Sequence, residues 1–253
     1  MDEGAERRLR IAVVSQRVGT DVERNLHAML EGIASAAAGG AEIACFPEYC
    51  LNPVFQHWID LGPPILALRA ACRKHRLWAV FGAESVRPGD RRSSVFLVDP
   101  DGAIRERYDK ARLWGSERQV FRPGVAPSGV VDIGPCRLGL ICCWDMAFPS
   151  DVADLANRGA ELICCPSRLV DYELDDKPLR AIPLVRAFEN LVYFVLCDAV
   201  SHDTLSESMI CHPLGIRQSI ARAEGILFAD LDFDELGDLR AYYRGHIEKT
   251  KLS

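Results

Sequence analysis

Long apolar runs are missing from this chain: no segment of its 253 residues approaches the roughly 18 apolar residues that a membrane-spanning helix requires. An excess of positive charge is missing too. With 30 Lys and Arg against 36 Asp and Glu there is no basic stripe to track a phosphate backbone, which argues against a nucleic-acid partner. Metal-ligand spacing is also lacking. None of the ten cysteines stands in a CxxC pattern and none of the six histidines has a second ligand at a useful separation, so neither a metal nor another cofactor is expected. There is no linker, no low-complexity tract and no shift of composition. These absences leave one domain over residues 9–253 behind a flexible stretch at 1–8. The opening MDEGAERRLR is charged rather than signal-like, which sets the expectation of a cytoplasmic protein without a membrane anchor.

What is present is apolar material in short, regular pieces, 49% of the chain, next to 26% charged residues. That is ordinary composition for a packed soluble domain. Residues 9–15 read as a strand, and Thr20-Asp21-Val22-Glu23 as a capping box. The helix it opens carries Leu26, Met29, Leu30, Ile33 and Ala37 on one face and stops at Gly39-Gly40. Strands follow at 41–46 and 77–82 around a helix at 64–75. The runs 94–98 and 103–107 flank the turn sequence Asp99-Pro100-Asp101-Gly102. Further strands are expected at 129–133, 136–142, 161–165, 191–196, 209–212 and 223–231, with helices at 150–158 and 179–190. Residues 111–124 have little periodicity and read as a loop. Strands alternate with helices, and most strands lack the in-out alternation of a half-exposed sheet, so the fold class is α/β with helices covering buried sheets.

Three chemically capable residues stand just past strand ends. Cys143 follows the apolar run 138–142 and precedes Pro149-Ser150-Asp151, a helix start. A thiol at such a bend points into a crevice near amide hydrogens, the setting of a nucleophile, although most cysteines are inert core residues. Glu48 follows 41–46, where a solvated loop acid is the alternative. Lys110 closes the arm after 103–107, where a surface charge is the alternative. Each is ambiguous alone. Most other cysteines lie in apolar runs such as 162–165 and read as buried, reduced thiols.

Taken together, FPEYCLN at 46–52, YDKARLWGSERQVFRPG at 108–124 and GLICCWDMAFP at 139–149 resemble the three sequence blocks of the nitrilase superfamily of carbon-nitrogen hydrolases. The resemblance extends to RAFEN at 186–190 and SMICHPLG at 208–215, and so covers nearly the whole chain. It implies a single-domain four-layer α-β-β-α sandwich, assembled as a homodimer or larger homo-oligomer, that cleaves a non-peptide carbon-nitrogen bond of a small linear amide or N-carbamoyl compound through a cysteine thioester. In that reading Cys143 is the nucleophile and Glu48 the general base, while Lys110 meets the oxyanion. Glu117 matches a second family glutamate that orients the lysine or holds the substrate, the alternative being a loop salt bridge with Arg112 or Arg118. The chemistry suits these residue types, because a thiol with a pKa near 8.5 needs a base within reach at neutral pH. Of the adjacent thiols, the aromatic-acid pair Trp144-Asp145 selects Cys143. A continuing strand pleat would turn Cys142 away into the core.

Cys-Trp-Asp is similar to the amidase and carbamoyl-hydrolase branches, and a nitrilase is the competing enzyme reading. A non-catalytic member binding a small molecule or a partner is the third, opposed by the cost of retaining a buried mixed-charge triad. Substrate contacts are expected from Tyr49, Trp114, Trp144, Ser167 and Arg168. Arg168 suits a substrate carboxylate, or is a surface arginine, and the two tryptophans wall the pocket or merely pack. Three positions depart from the family pattern: Arg112 where a His is common, Asp198 where an Asn is common, and Ser206 where a Gly is usual.

Overall fold

The computed structural model describes residues 6–53, 58–84, 89–170 and 176–250. The first βαβαβ run consists of β1 (Arg8–Ser15), α1 (Val22–Ala38), β2 (Ile43–Cys45), α2 (Gly62–His75) and β3 (Trp78–Glu84), its three strands parallel. Two antiparallel strands, β4 (Ser93–Val98) and β5 (Ile104–Asp109), extend one edge. After a short helix α3 (Glu117–Val120) the second half repeats the plan: β6 (Val130–Asp132), β7 (Arg137–Leu140), α4 (Pro149–Asn157), β8 (Leu162–Ser167), α5 (Asp176–Asn190), β9 (Tyr193–Asp198), β10 (Glu207–His212) and β11 (Gly215–Ala221). The last strand, β12 (Gly225–Asp232), crosses back to pair with β1, and α6 (Phe233–Thr250) follows it.

The two six-stranded sheets run β12-β1-β2-β3-β4-β5 and β6-β7-β8-β9-β10-β11. Read in those directions, both have the same succession of neighbours: antiparallel, parallel, parallel, antiparallel, antiparallel. Their inner faces share one core. Leu9, Ile11, Val13, Ile43 and Val80 of the first sheet belong to the same buried cluster as Leu138, Leu162, Cys164 and Val195 of the second. The outer face of the first sheet is covered by α1 and α2 through Ala12, Val14, Met29, Ile33, Ile65 and Leu68. Val152, Leu155 and Ala187, from α4 and α5, cover the second. This is the four-layer α-β-β-α sandwich. Strands buried on both faces account for the weak in-out alternation of the sequence.

One local expectation is corrected, and two elements appear that the sequence reading did not assign. The cap of α1 is Asp21 and not Thr20: its carboxylate accepts the amides of Glu23 and Arg24, two otherwise orphaned donors. Residues 215–221 form β11, an edge strand with mostly exposed side chains and hence no apolar period to betray it. Among the described side chains of α6, Phe233 and Leu236 lie in the core, and Arg240 is tied to the carbonyls of Leu191 and Ala160. That is tertiary support no sequence period displays. Residues 1–5 of the expected N-terminal stretch lie outside the described residues, and β1 begins at Arg8.

Among the described residues no helix is long and apolar enough to cross a membrane, and no cluster of three or more His, Cys, Asp or Glu is arranged to hold a metal ion.

Candidate active site

In parallel α/β sheets the crevice lies beyond the carboxyl ends of the strands. Glu48 lies just past β2, Cys143 just past β7, Lys110 just past β5, and Arg168 just past β8. The two-fold repetition of topology therefore brings the ends of the equivalent central strands β2 and β8 together. Glu48 N–H donates to the carbonyl of Ser167 at 3.2 Å. Close approach on the other side requires glycine: a Cβ on Gly82 of β3 would lie 2.6 Å from the Cα of Glu48.

Lys110 is fully buried and donates to Glu48 Oε1 at 2.9 Å and to Glu117 Oε1 at 2.8 Å. Burial alone would discharge the amine. The negative charge available to Cys143 and carried by Glu48 outweighs it and holds the ammonium pKa well above its ordinary value. Glu117 is held at both oxygens, by the Tyr49 hydroxyl on Oε1 at 3.0 Å and by the Trp114 amide on Oε2 at 2.7 Å. Burial and then the charge of Glu48 raise its pKa, while Lys110 opposes them. Gly124 completes the seat of the lysine: its amide donates to the Lys110 carbonyl at 2.8 Å, at a spot where a Cβ would collide with the carbonyl of Asp109.

The Glu48 carboxylate has two unlike oxygens. Oε1 accepts from Lys110, from Ser93 Oγ at 3.2 Å and from Cys142 Sγ at 3.1 Å. Oε2 accepts from the Arg168 amide at 3.2 Å, which leaves it the less occupied of the two. Cys143 opens the 3-10 segment Cys143–Ala147 with a φ of 48°. A non-glycine residue in the left-handed region costs about 1–3 kcal/mol and is kept where the surroundings impose it. Its Sγ donates to the Arg168 carbonyl at 3.7 Å. Burial, and then the charge of Glu48, push the Cys143 thiol well above its usual pKa, with Lys110 pulling the other way. The resting group is therefore a thiol that waits for a base.

The pleat argument about the neighbouring cysteine does not hold. β7 stops at Leu140, the left-handed turn follows, and alternation no longer applies; Cys142 is buried as expected but its sulfur touches Glu48.

The sequence marks Asp145 only as the acid that follows the reactive thiol, and its clamping role comes from the fold. Asp145, fully buried, accepts the Tyr108 hydroxyl at 2.8 Å, the Cys142 amide at 3.0 Å and the Arg112 amide at 2.8 Å. It thus ties the segment bearing Lys110 to the turn bearing Cys143. Burial lifts its carboxyl to about 6 against the pull of Lys110. The available signal was spacing: Tyr108 and Lys110 are two apart on an extended strand end and share a face, and Asp145 stands two past the thiol.

Of the other expected contacts, Tyr49 has a φ of 52° and stacks on Phe121 with centroids 5.8 Å apart, so its hydroxyl serves Glu117. Trp114 and Trp144 are half-buried against each other at 4.3 Å. Trp144 also lines a cavity of about 360 Å³ with Arg112, Phe121 and Phe148. The Ser167 side chain turns to Cys165, leaving its carbonyl for Glu48. The guanidinium of Arg168 lies on Asp203 at 2.8 Å, so what Arg168 brings to the site is its peptide groups. Arg112 pairs with Asp151 and covers the Phe148 ring.

Comparison with known proteins follows the same lines. Residues 10–241 match the family model described as Carbon-nitrogen hydrolase. An (R)-stereoselective amidase from Pseudomonas sp. is 31% identical over 238 residues, covering 88% of this chain and 84% of that protein. A formamidase from Allorhizobium ampelinum is 29% identical over 209 residues, and the match spans 76% of this chain but only 60% of the formamidase. A solved structure of an amidase variant from Nesterenkonia sp., described as carrying acrylamide added to its active-site cysteine, superposes with a TM-score of 0.84 at 25% identity, covering 94% of this chain and 99% of that one.

Proposed function

Because the chain belongs to the carbon-nitrogen hydrolase family, we propose that it hydrolyses a small linear amide or N-carbamoyl compound through a thioester on Cys143, releasing ammonia or an amine. One observation carries the reading: a buried ammonium is gripped between two buried carboxylates beside a thiol held in a strained left-handed turn. The similarity to two amidases and a formamidase supports the amide class.

The residues divide the work as follows. Glu48 takes the thiol proton on Oε2, its less occupied oxygen, once the Cys143 side chain turns away from the Arg168 carbonyl towards it. The thiolate attacks the carbonyl carbon. The oxyanion forms between the Lys110 ammonium and the Trp144 amide, which lies in the first turn of the 3-10 segment, where amides have no intrahelical acceptor. Glu48 returns the proton to the departing nitrogen and the carbon-nitrogen bond breaks. Water then loses its proton to Glu48, attacks the thioester and frees the acid and the thiol, which restores the starting state. Glu117, fixed by Tyr49 and Trp114, keeps Lys110 in place. The half-buried Trp114–Trp144 pair beside the turn would make the walls of a pocket for a short, unbranched acyl group.

Ammonia release from acetamide, propionamide and N-carbamoylglycine, alongside the matching nitriles, tests this. Turnover of an amide or carbamoyl compound with inert nitriles is expected. Acid and ammonia from a nitrile with inert amides would overturn it in favour of a nitrilase. We extend the reading to a cytoplasmic homo-oligomer, which the exposed Val185 and Phe188 of α5 and Tyr242 of α6 favour as an apolar face. A sedimentation mass of a single 28.1 kDa chain would refute the assembly.

A further inference from the structure

The peptide run from Ser167 to Leu169 touches both reactive groups. Its Ser167 carbonyl accepts the Glu48 amide at 3.2 Å, its Arg168 amide donates to Glu48 Oε2 at 3.2 Å, and its Arg168 carbonyl receives the Cys143 thiol at 3.7 Å. Behind this run sits Asp198, fully buried at the end of β9. Its Oδ1 accepts the Leu169 amide at 2.8 Å and its Oδ2 the Glu207 amide at 3.3 Å, while the next amide along, that of Ala199, donates to the Ser167 carbonyl at 3.1 Å. We propose that Asp198 is a positioning residue of the reaction: with Oδ2 anchored on the Glu207 amide, its Oδ1 holds the Ser167–Leu169 run from behind through the Leu169 amide, so that the base and the nucleophile leaning on its front stay in register. The proposal rests on the amidase reading above for the reaction it serves.

Two considerations support a role beyond packing. The hydrogen bonds to both oxygens of Asp198 come from N–H donors, which suits a group with two acceptors. An asparagine would satisfy Leu169 but turn an N–H towards the amide of Glu207. The position is also costly. Burial pushes the Asp198 carboxyl up to about 8 despite the opposing amides of Leu169 and Ala199, a penalty a neutral side chain would avoid. The other ties on the run do not replace it. The Ala199 amide holds the Ser167 carbonyl at 3.1 Å and the Leu205 amide the Leu169 carbonyl at 2.9 Å, which leaves the Leu169 N–H to Asp198, and the Arg168–Asp203 pair is partly exposed and correspondingly weak. Ser206, with a φ of 51°, is set into the same loop by its hydroxyl, which shares a hydrogen bond with Thr204 and donates to the Ser201 carbonyl.

The test compares Asp198→Ala, Asp198→Asn and Ser208→Ala with the wild type. Ser208 contacts only the backbone of Asp198 and controls for disturbance of the same buried region. A misplacement of about 1 Å costs on the order of 10²-fold, so Asp198→Ala should lower kcat by that order and leave KM within about twofold. Asp198→Asn, which keeps the Leu169 contact, should recover part of the loss at an unchanged melting temperature, and Ser208→Ala should stay near the wild type. Alkylation of Cys143 by iodoacetamide, located by mass mapping, should slow in the same order and needs no amidase activity. If Asp198→Ala does not fold, Asp198→Asn decides by the same two readouts. Rates of turnover and alkylation within about twofold of wild type in every folded Asp198 variant, or an equal loss in Ser208→Ala, would overturn the proposal. If the wild type itself hydrolyses no amide or carbamoyl compound, the amidase reading fails, and the alkylation rates alone still decide whether Asp198 positions Cys143.

Discussion

Cys143→Ala should lower amide turnover by at least about 10⁴-fold, as expected when a covalent nucleophile is removed, whereas Cys142→Ala should cost less than about tenfold. The contrast matters because both sulfurs reach the site. Cys142 Sγ lies 3.1 Å from Glu48, yet it is fully buried, precedes the turn and shares Glu48 Oε1 with Lys110 and Ser93, so its loss leaves that oxygen with two donors. Cys143 occupies the left-handed position at the start of the 3-10 segment, next to the amides a developing oxyanion needs. Its side chain contributes one weak bond to the Arg168 carbonyl, so Cys143→Ala should melt within a few degrees of the wild type, the shift that about 1 kcal/mol produces in a domain of this size. Steady-state ammonia release and thermal melts on the two variants check both halves. An active Cys143→Ala with a dead Cys142→Ala would move the nucleophile to the neighbouring thiol.

Glu48→Gln should lower kcat by about 10² to 10⁴-fold, the range for loss of a positioned general base. The amide keeps the shape of the side chain and a carbonyl oxygen for Lys110, and it leaves Lys110 a full charge partner in Glu117. What it removes is the carrier that takes the proton from sulfur and returns it to the leaving nitrogen. Alkylation of Cys143 by iodoacetamide needs the first of these transfers but not the second, since iodide departs without a proton. It should therefore fall less than hydrolysis does. Paired measurement of ammonia release and alkylation reads the difference, and equal loss of the two would mean that Glu48 serves only to ionise the thiol. Replacing Lys110 would be a poorer probe. It would strand two buried carboxylates, at a cost of about 3–5 kcal/mol in stability.

How far the sequence reaches can be seen residue by residue. Strands buried on both faces are continuous apolar runs, so most of both sheets, α1, α2 and α4 are legible as composition and period. The motif spacing brings Glu48, Lys110 and Cys143 forward because each stands just past a strand end, and such ends converge in a parallel sheet. Three kinds of feature stay hidden. An exposed edge such as β11 has no period to show. A helix such as α6, held by Arg240 on the carbonyls of Leu191 and Ala160, depends on partners some 50 to 80 residues away in the chain. Asp145 and Asp198 stand out in the motifs, but that their carboxylates bind backbone amides is hidden until the fold supplies the amides. The two-thiol geometry beside Glu48 was hidden for a related reason: it follows from a left-handed turn at Cys143, which no residue type there announces. Arg168 shows the converse, a side chain suited to a substrate carboxylate whose guanidinium the fold places on Asp203 while its peptide faces Glu48.

The central claim is that an acyl group passes through Cys143. Intact-mass analysis of wild type and Cys143→Ala, quenched seconds after mixing with propionamide or N-carbamoylglycine, tests it most directly. The wild type should gain the mass of one acyl or carbamoyl group, mapped to the peptide bearing Cys143, with ammonia or amine released in parallel, and Cys143→Ala should gain nothing. Turnover of either compound with the same release in Cys143→Ala, or an acyl group mapped to any other residue, would contradict the account.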